Sequence, residues 1–252
     1  MPGTDLHPVE RSALALNDIR AVLLDIEGTT TPTAFVHQVL FPYARARVHQ
    51  YLEHHADDPA VRADVALLRA EYAAEPPHSP DLPPWNPEAY VYWLMDRDRK
   101  STGLKALQGR IWETGYRAGE LRGKGEVYPD VRPALERWRG AGKTIAIFSS
   151  GSIQAQRNLF ANTTAGDLSA FLSDYFDTTT GPKREAGSYR HIAASLRQPA
   201  NAVLFVSDVS AELDAARAAG MRTALCIRDA APADEPASPT DHPRIRSFAE
   251  LA

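Results

Sequence analysis

The chain has 252 residues, 44% of them hydrophobic, which is enough to bury the core of one large domain or of one domain with an insertion. Its formal net charge is -4 at pH 7, and its lysines and arginines are scattered along the chain. These values exclude the basic surface that binds nucleic acid, so an anionic ligand has to be bound by a few local groups.

The single cysteine, Cys226, lies in the apolar run 224–227, which predicts a buried small side chain and excludes a disulfide within the chain. No apolar stretch is long enough to cross a membrane. Pro8, Glu10 and Arg11 interrupt the start of the chain, where a secretion signal would have an apolar segment. We therefore expect a cytoplasmic protein without a membrane partner.

The first predicted elements are a loose N-terminal tail over 1–18 and a buried strand over 19–24. The strand ends in the run DIEGTT, residues 25–30. In an extended segment Asp25 and Glu27 would share a face, and two adjacent carboxylates repel each other unless a cation or a proton lies between them. This pattern favours a divalent cation. A polar turn in which Gly28 has a positive φ is the alternative.

About a hundred residues separate this strand from the next, far more than one crossover helix requires. Apolar residues recur in this segment at helical spacing, and a proline-rich break over 76–84 divides the helices into two groups. The periodic positions are Val36, Val39, Leu40, Tyr43, Val61, Val65, Leu68, Tyr90, Trp93 and Leu94. The segment is therefore predicted to be an inserted helical cap that returns to the core near 128–130.

Three further strands are predicted over 144–149, 202–207 and 223–227, and alternating strands and helices indicate a parallel sheet covered on both faces. The first of them ends in Ser149 and Ser150 before a helix that begins near Ile153. Hydroxyls and amides at a helix N-terminus bind anions, although an ordinary serine cap has the same spacing. The segment 229–243 is predicted to be an exposed loop before a short closing helix.

Two more charged positions follow in chain order. Lys183 lies in a glycine-proline loop of a chain that otherwise prefers arginine, which favours a compact positive charge for phosphate over an ordinary solvated lysine. Asp208 follows the strand 202–207 directly, and Glu212 lies one helical turn later.

The chain resembles the haloacid dehalogenase-like superfamily. Its four signatures are matched, in chain order, by Asp25, the pair Ser149 and Ser150, Lys183 and Asp208. Most phosphatases of that superfamily have aspartate where this chain has Glu27. That variant, together with the runs FPY at 41–43, SSGS at 149–152 and LKALQG at 104–109, resembles the enolase-phosphatase family of methionine salvage.

The resemblance implies an α/β fold, with a Rossmann-like parallel-sheet core over 19–31 and 125–252 and an all-helical cap over 32–124. It implies an enzyme that enolises 2,3-diketo-5-methylthiopentyl 1-phosphate and then dephosphorylates it to the acireductone 1,2-dihydroxy-3-keto-5-methylthiopentene. The substrate is thus a small phosphorylated molecule, and the cofactor is one Mg²⁺ per chain.

The resemblance also implies residue roles. Asp25 would be the nucleophile that forms an aspartyl-phosphate, and Glu27 would carry protons. The Asp25 and Asp208 carboxylates and the Glu27 backbone carbonyl would hold Mg²⁺. Phosphate would be bound by Ser149, Ser150 and Lys183, the last of which also supplies catalytic charge, and Glu212 would orient Asp208 or Lys183.

Three other functions stay open at this point. The same core could serve a capped magnesium phosphatase for another small phosphate ester. A catalytically silent phosphate-binding module is disfavoured because Asp25 is present, and a zinc enzyme because the histidines, including His54 and His55, form no HExxH motif. We expect a monomer, and His54 and His55 at an exposed helix end.

Overall fold

The computed structural model describes residues 14–76, 78–228 and 241–252. Six strands form one parallel sheet. They are β1 Ala21–Leu24, β2 Thr144–Phe148, β3 Asp174–Phe176, β4 Val203–Ser207, β5 Arg222–Cys226 and β6 Arg244–Ile245. Their order across the sheet is β3-β2-β1-β4-β5-β6. The first strand is therefore central, and the sheet grows outwards on both sides of it.

Ten α-helices lie in the described ranges, of which α7 to α10 pack on the faces of the sheet. They are α1 Thr33–Phe35, α2 Phe41–Arg45, α3 Val48–His54, α4 Pro59–Ala73, α5 Pro87–Asp96, α6 Thr102–Arg117, α7 Val131–Gly140, α8 Ile153–Ala161, α9 Ala186–Ser195 and α10 Ser210–Ala218. His54 ends α3 and is exposed, as predicted, whereas His55 follows it half-buried and stacks on Tyr51. The predicted α/β class with a Rossmann-like sheet is confirmed.

Both faces of the sheet are buried, which explains why β1 is apolar at every position. Val22 and Leu24 point into a cluster that includes residues of α7 and α8. Ala21 and Leu23 point into a second cluster on the opposite face, which includes residues of α9 and α10. Cys226 is buried in the first cluster, as predicted from its apolar neighbours.

Helices α2 to α6 bury a third apolar cluster of their own, which includes Val48, Leu68, Tyr90, Trp93 and Leu107. In contrast, apolar residues near both ends of the inserted segment, among them Phe35, Leu40 and Tyr116, belong to the cluster on the sheet. The insertion is thus anchored to the sheet at both ends and has a separate interior between them. The exact division at residues 32 and 124 stays a prediction.

A π-helical turn, Val36–Leu40, lies between α1 and α2, where the apolar spacing predicts a regular helix. The backbone N–H of Phe41 bonds to the carbonyl of Val36, five residues earlier. Pro42 follows directly and has no N–H to continue the usual four-residue pattern. Proline therefore marks the place where the helix changes its hydrogen bonding, in a stretch that lines the cavity described below.

The ends of the chain differ from the prediction. Residues 14–18 are not a loose tail, because the amide of Leu14 donates to the Glu250 carbonyl, that of Leu16 donates to the Ala252 carbonyl, and Leu16 is buried. The predicted tail residues 1–13 and the predicted loop residues 229–240 lie outside the described residues. His242, at the end of that predicted loop, is buried and bonded to Thr223 and Asp214.

The closing element is a 3₁₀ turn, Phe248–Glu250, which Ser247 and Glu250 cap reciprocally. None of the helices in the three described ranges is long and apolar enough to cross a membrane.

Candidate active site

The carboxyl ends of β1, β2 and β4 meet at one edge of the sheet because these strands are parallel neighbours. Asp25 follows β1 and Ser149 follows β2. Ser207 is the last residue of β4, and Asp208 follows it. The order of the strands changes direction at β1, because β2 lies on one side of it and β4 on the other. Open α/β sheets bind ligands at such a switch point. The topology thus brings together residues that are far apart in the sequence.

The loop after β1 is a compact turn, and the expectation that Asp25 and Glu27 share a face of an extended segment is wrong. The strand ends at Leu24, and the carbonyl of Ile26 accepts hydrogen bonds from the amides of Thr29, Thr30 and Thr31. This turn places the two carboxylates in different surroundings. Asp25 is buried, whereas Glu27 is exposed to the cavity.

The Asp25 carboxylate is fixed by contacts on both oxygens. Its Oδ1 accepts a hydrogen bond from the Ile26 amide at 2.7 Å and lies 2.8 Å from Nζ of Lys183. Its Oδ2 accepts a hydrogen bond from the Ser207 hydroxyl at 3.0 Å. The side chain is therefore held in one orientation by the backbone, a cation and a hydroxyl from the neighbouring strand.

Lys183 is shared between two acids, because its Nζ also lies 2.6 Å from Oε2 of Glu212. Its side chain is only 10% exposed, and the Tyr189 hydroxyl donates to its backbone carbonyl at 2.6 Å. Burial disfavours the charged amine, but Asp25 and Glu212 outweigh burial and raise the pKa of Lys183. The lysine is a fixed cation beside Asp25, and Glu212 orients it.

Gly28 allows Asp208 to approach the first loop closely. Its φ is +67°, and a Cβ at this position would collide with the Asp208 carboxylate. Burial and then the nearby Asp25 charge raise the pKa of Asp208 to about 6. Asp25, Asp208 and Glu212 thus gather three acidic side chains around Lys183.

A divalent cation fits this charge imbalance and the oxygen-rich donor set. No three His, Cys, Asp or Glu side chains converge on one metal position among residues 14–76, 78–228 and 241–252. The predicted donor set, two carboxylates and the Glu27 backbone carbonyl, does not require such a group. Mg²⁺ commonly keeps several waters and takes only one or two protein carboxylates.

The loop after β2, residues 149–152, is tied to the sheet and to α8. The Ser149 amide donates to the Phe176 carbonyl at 3.1 Å, and the Gly151 amide donates to the Ser149 hydroxyl at 3.2 Å. Ser152 caps α8, as the sequence predicts. The buried Gln156 amide donates to the carbonyls of Gly151 and Phe176, both at 2.8 Å. The loop therefore presents Ser149 and Ser150 from a rigid support.

A cavity of about 530 Å³ lies between this edge of the sheet and the inserted helices. Of the predicted site residues, Glu27, Ser149 and Ser150 line it. Its apolar lining from the insertion includes Leu40, Phe41, Leu94, Met95, Leu104 and Trp112. Loss of hydration and the nearby Asp25 raise the pKa of Glu27. The side of the cavity that the insertion forms is therefore apolar, and the side at the edge of the sheet is polar.

The structure places most of the predicted site residues in two groups, and it shows further residues in contact with them. Asp25, Lys183 and Glu212 form one ion-paired cluster, and Glu27, Ser149 and Ser150 share the cavity. Ser207, Gln156 and Lys105 were not predicted as site residues, although each of them lies inside or next to a motif found in the sequence. Their roles depend on contacts between distant segments.

The comparisons with known proteins agree with this architecture. A family model described as haloacid dehalogenase-like hydrolase matches residues 19–220. The chain is 55% identical over 239 residues to the enolase-phosphatase E1 of Synechococcus elongatus, covering 92% of this chain and 98% of the relative. It is 46% identical to the enolase-phosphatase E1 of Pseudomonas aeruginosa, covering 92% and 98%.

A solved structure of similar fold is the UTR4 protein of Saccharomyces cerevisiae, with a TM-score of 0.70 and 32% identity, covering 92% of this chain and 100% of that chain. CbbY of Rhodobacter sphaeroides, solved in complex with xylulose-(1,5)bisphosphate, has a TM-score of 0.57 and 20% identity, covering 92% and 96%. At that identity the second likeness concerns the fold alone.

Proposed function

The chain belongs to the haloacid dehalogenase-like hydrolase family and, within it, to the enolase-phosphatases, and from this membership we propose how its own residues perform the reaction. It is a phosphatase of methionine salvage, which enolises 2,3-diketo-5-methylthiopentyl 1-phosphate and then dephosphorylates it to the acireductone. The observation that supports the proposed mechanism is the buried Asp25 carboxylate held by Lys183 and Ser207 at the end of β1.

In the phosphatase step, an Asp25 oxygen attacks phosphorus and the bond between phosphorus and the C1 oxygen breaks. Glu27 donates a proton to that departing oxygen, and the aspartyl-phosphate remains on Asp25. Glu27 then accepts a proton from the water that attacks phosphorus, and the bond between phosphorus and the Asp25 oxygen breaks to release inorganic phosphate. The cavity exposes the Glu27 side chain, and its raised pKa suits a group that alternates between acid and base.

The substrate phosphate would be bound by Ser149, Ser150 and Lys183. Phosphoryl transfer depends mainly on alignment and on neutralising the phosphate oxygens, which hydroxyls, amides and a lysine provide. Gln156 keeps the serine loop in place, and Glu212 keeps Lys183 beside Asp25. The apolar side of the cavity would receive the methylthioalkyl part of the substrate.

Enzymes of this family generally use Mg²⁺, and the residues of this site fit one ion per chain. The Asp25 and Asp208 carboxylates and the Glu27 carbonyl would hold it, where it would supply positive charge to the phosphate oxygens. The close approach of Asp208 to Gly28 supports this assignment, because it brings the Asp208 carboxylate to the loop that carries Asp25 and Glu27. We further propose that the protein is cytoplasmic and that it is a monomer. Size-exclusion chromatography with light scattering can check the monomeric state.

The test is rapid mixing with the diketone phosphate, following enol absorbance and inorganic phosphate together. The expected order is enol-phosphate first and inorganic phosphate second. The Asp25→Asn variant should release no phosphate while its circular dichroism matches that of the wild type. Phosphate release from the unenolised diketone would leave only a capped magnesium phosphatase for another ester. Turnover of Asp25→Asn at the wild-type rate would refute the nucleophile assignment.

A further inference from the structure

Lys105 lies in α6, a helix of the insertion, and reaches the phosphate loop of the sheet domain. Its Nζ donates a hydrogen bond to the Ser150 carbonyl at 3.4 Å. The helix runs close to this loop, because a Cβ added at Gly109 would lie 3.5 Å from the Ser152 hydroxyl oxygen. A positive charge from the insertion is therefore positioned next to the residues that bind phosphate.

Other cations line the same cavity, but they are engaged or exposed. Arg45 pairs with Asp96, and Arg99 pairs with Glu75, each at 2.8 Å. Lys100 is exposed. Lys105 is half-buried, and within the described ranges no carboxylate lies at ion-pair distance from it; Asp177 acts on it only from farther away. Among these cavity-lining cations, Lys105 is therefore the one that is half-buried and has no ion-pair partner in the part of the chain that the structure describes, so its charge is available to a ligand.

Enolisation develops negative charge that a cation at this place would stabilise. Removal of a proton from C1 moves negative charge onto the C2 oxygen, and C2 is bonded to the carbon that carries the phosphate. A substrate whose phosphate is bound by Ser149 and Ser150 therefore has its C2 oxygen within reach of a group that contacts the same loop, as Lys105 does. Fixed donors at a developing oxyanion are among the largest contributions to catalysis.

We propose, on the basis of the function given above, that Lys105 is a catalytic residue of the enolisation step, in which its ammonium donates a hydrogen bond to the substrate C2 oxygen. The C1–H bond breaks and its proton passes to the Glu27 carboxylate. The C–H electron pair forms the C1=C2 bond, and the carbonyl π pair moves to the C2 oxygen. That oxygen takes the proton from Lys105, which regains one from solvent.

Burial supports this role. Burial and then the nearby Lys100 lower the pKa of Lys105, so it gives up a proton more readily than an exposed lysine. The phosphatase step needs no charge at C2, because it occurs at phosphorus. Lys105 should therefore matter for one half-reaction and be dispensable for the other.

The experiment compares Lys105→Met and Lys105→Gln with the wild type on two substrates. The first is the diketone phosphate, with enol absorbance followed by rapid mixing. The second is pentyl phosphate, which has no carbonyl and reports phosphate release alone. Lys124→Met is the matched control, since it removes an exposed lysine of the insertion that does not line the cavity.

We expect Lys105→Met to slow enol formation about 100-fold, the typical cost of losing one oxyanion donor. Its rate on pentyl phosphate should change less than about threefold, and Lys124→Met should resemble the wild type on both substrates. Equal losses on both substrates, unchanged enol formation, or an equal effect of Lys124→Met would each overturn the proposal. If the wild type forms no enol, the proposed function itself fails, and the role of Lys105 fails with it.

Discussion

Ser207, the last residue of β4, donates a hydrogen bond to Oδ2 of Asp25 at 3.0 Å and lies 3.3 Å from Oε2 of Glu212. The hydroxyl is completely buried, and its oxygen accepts a hydrogen bond from the Val209 amide. It therefore fixes the rotation of the Asp25 carboxylate from a neighbouring strand while its own position is fixed by the backbone.

Replacing Ser207 by alanine should lower kcat for phosphate release about tenfold. A hydrogen bond to a charged group contributes about 1.5–3 kcal/mol, and its loss leaves the Asp25 carboxylate less well oriented. Steady-state kinetics of phosphate release measures the effect. Ser195→Ala, at an exposed position at the end of α9, is the control. An unchanged kcat would mean that the Ile26 amide and Lys183 orient Asp25 without help.

Lys183→Met should lower kcat about a thousandfold, because the variant loses the fixed charge that lies beside Asp25 and the phosphate. Glu212 should not compensate, since its carboxylate has the opposite charge. Lys124→Met, which removes an exposed lysine, should retain wild-type activity. A loss of less than fivefold in Lys183→Met would remove Lys183 from the catalytic machinery.

Gln156→Leu should weaken the binding of inorganic phosphate about tenfold, because the carbonyls of Gly151 and Phe176 both lose a donor and the serine loop loosens. Its affinity for Mg²⁺ should not change, since the proposed ligands belong to other loops. Calorimetric titration measures both constants. Gln154→Leu, on the exposed side of α8, is the control. Equal weakening of both ligands would indicate general unfolding of the site.

Magnesium removal should abolish phosphate release, because Asp25 and Asp208 would then face the phosphate with little positive charge between them. The measurement is turnover after chelation, with residual metal determined by elemental analysis and activity restored by added Mg²⁺. Full turnover by a metal-free sample would exclude the proposed cofactor.

Asp130→Asn should destabilise the protein by about 3 kcal/mol at pH 7, as expected for breaking a buried charge pair. Asp130 accepts hydrogen bonds from Arg228 at 2.6 Å and from the Phe248 amide at 2.6 Å. Arg228 in turn donates to the Thr29 carbonyl at 2.8 Å, so the pair also supports the loop after β1.

The pH dependence of this effect has a defined sign. Burial opposes ionisation of Asp130, but its bonds to Arg228, Phe248 and Ser247 outweigh burial and lower its pKa. An acid whose pKa is lower in the folded state stabilises the fold above its unfolded pKa and loses that contribution below it. The difference in unfolding free energy between wild type and Asp130→Asn should be constant from about pH 5 to 8 and shrink below about pH 4. A constant difference at all pH values would contradict this.

The sequence predicts the four long strands and the residues at their ends, because continuous apolar runs followed by polar residues are characteristic of a buried parallel sheet. It does not predict β3 and β6, which are only three and two residues long and have no periodicity to detect. Nor does it predict the contacts of Ser207, Gln156 and Lys105. These depend on how separate segments pack, which local pattern does not encode.

The position of the insertion has a consequence for how the chain folds. Where β1 pairs with β2, Ala21 lies opposite Thr144, and the whole cap is contained in the loop that this pairing closes. Closing a long flexible loop costs more entropy than closing a short one, and non-local pairing slows folding. Helices α2 to α6 have an interior of their own, so they can become compact first and bring the ends of that loop closer together. We therefore expect helices α2 to α6 to form before the active site is assembled. The compact cap would then lower the entropic cost of pairing β1 with β2.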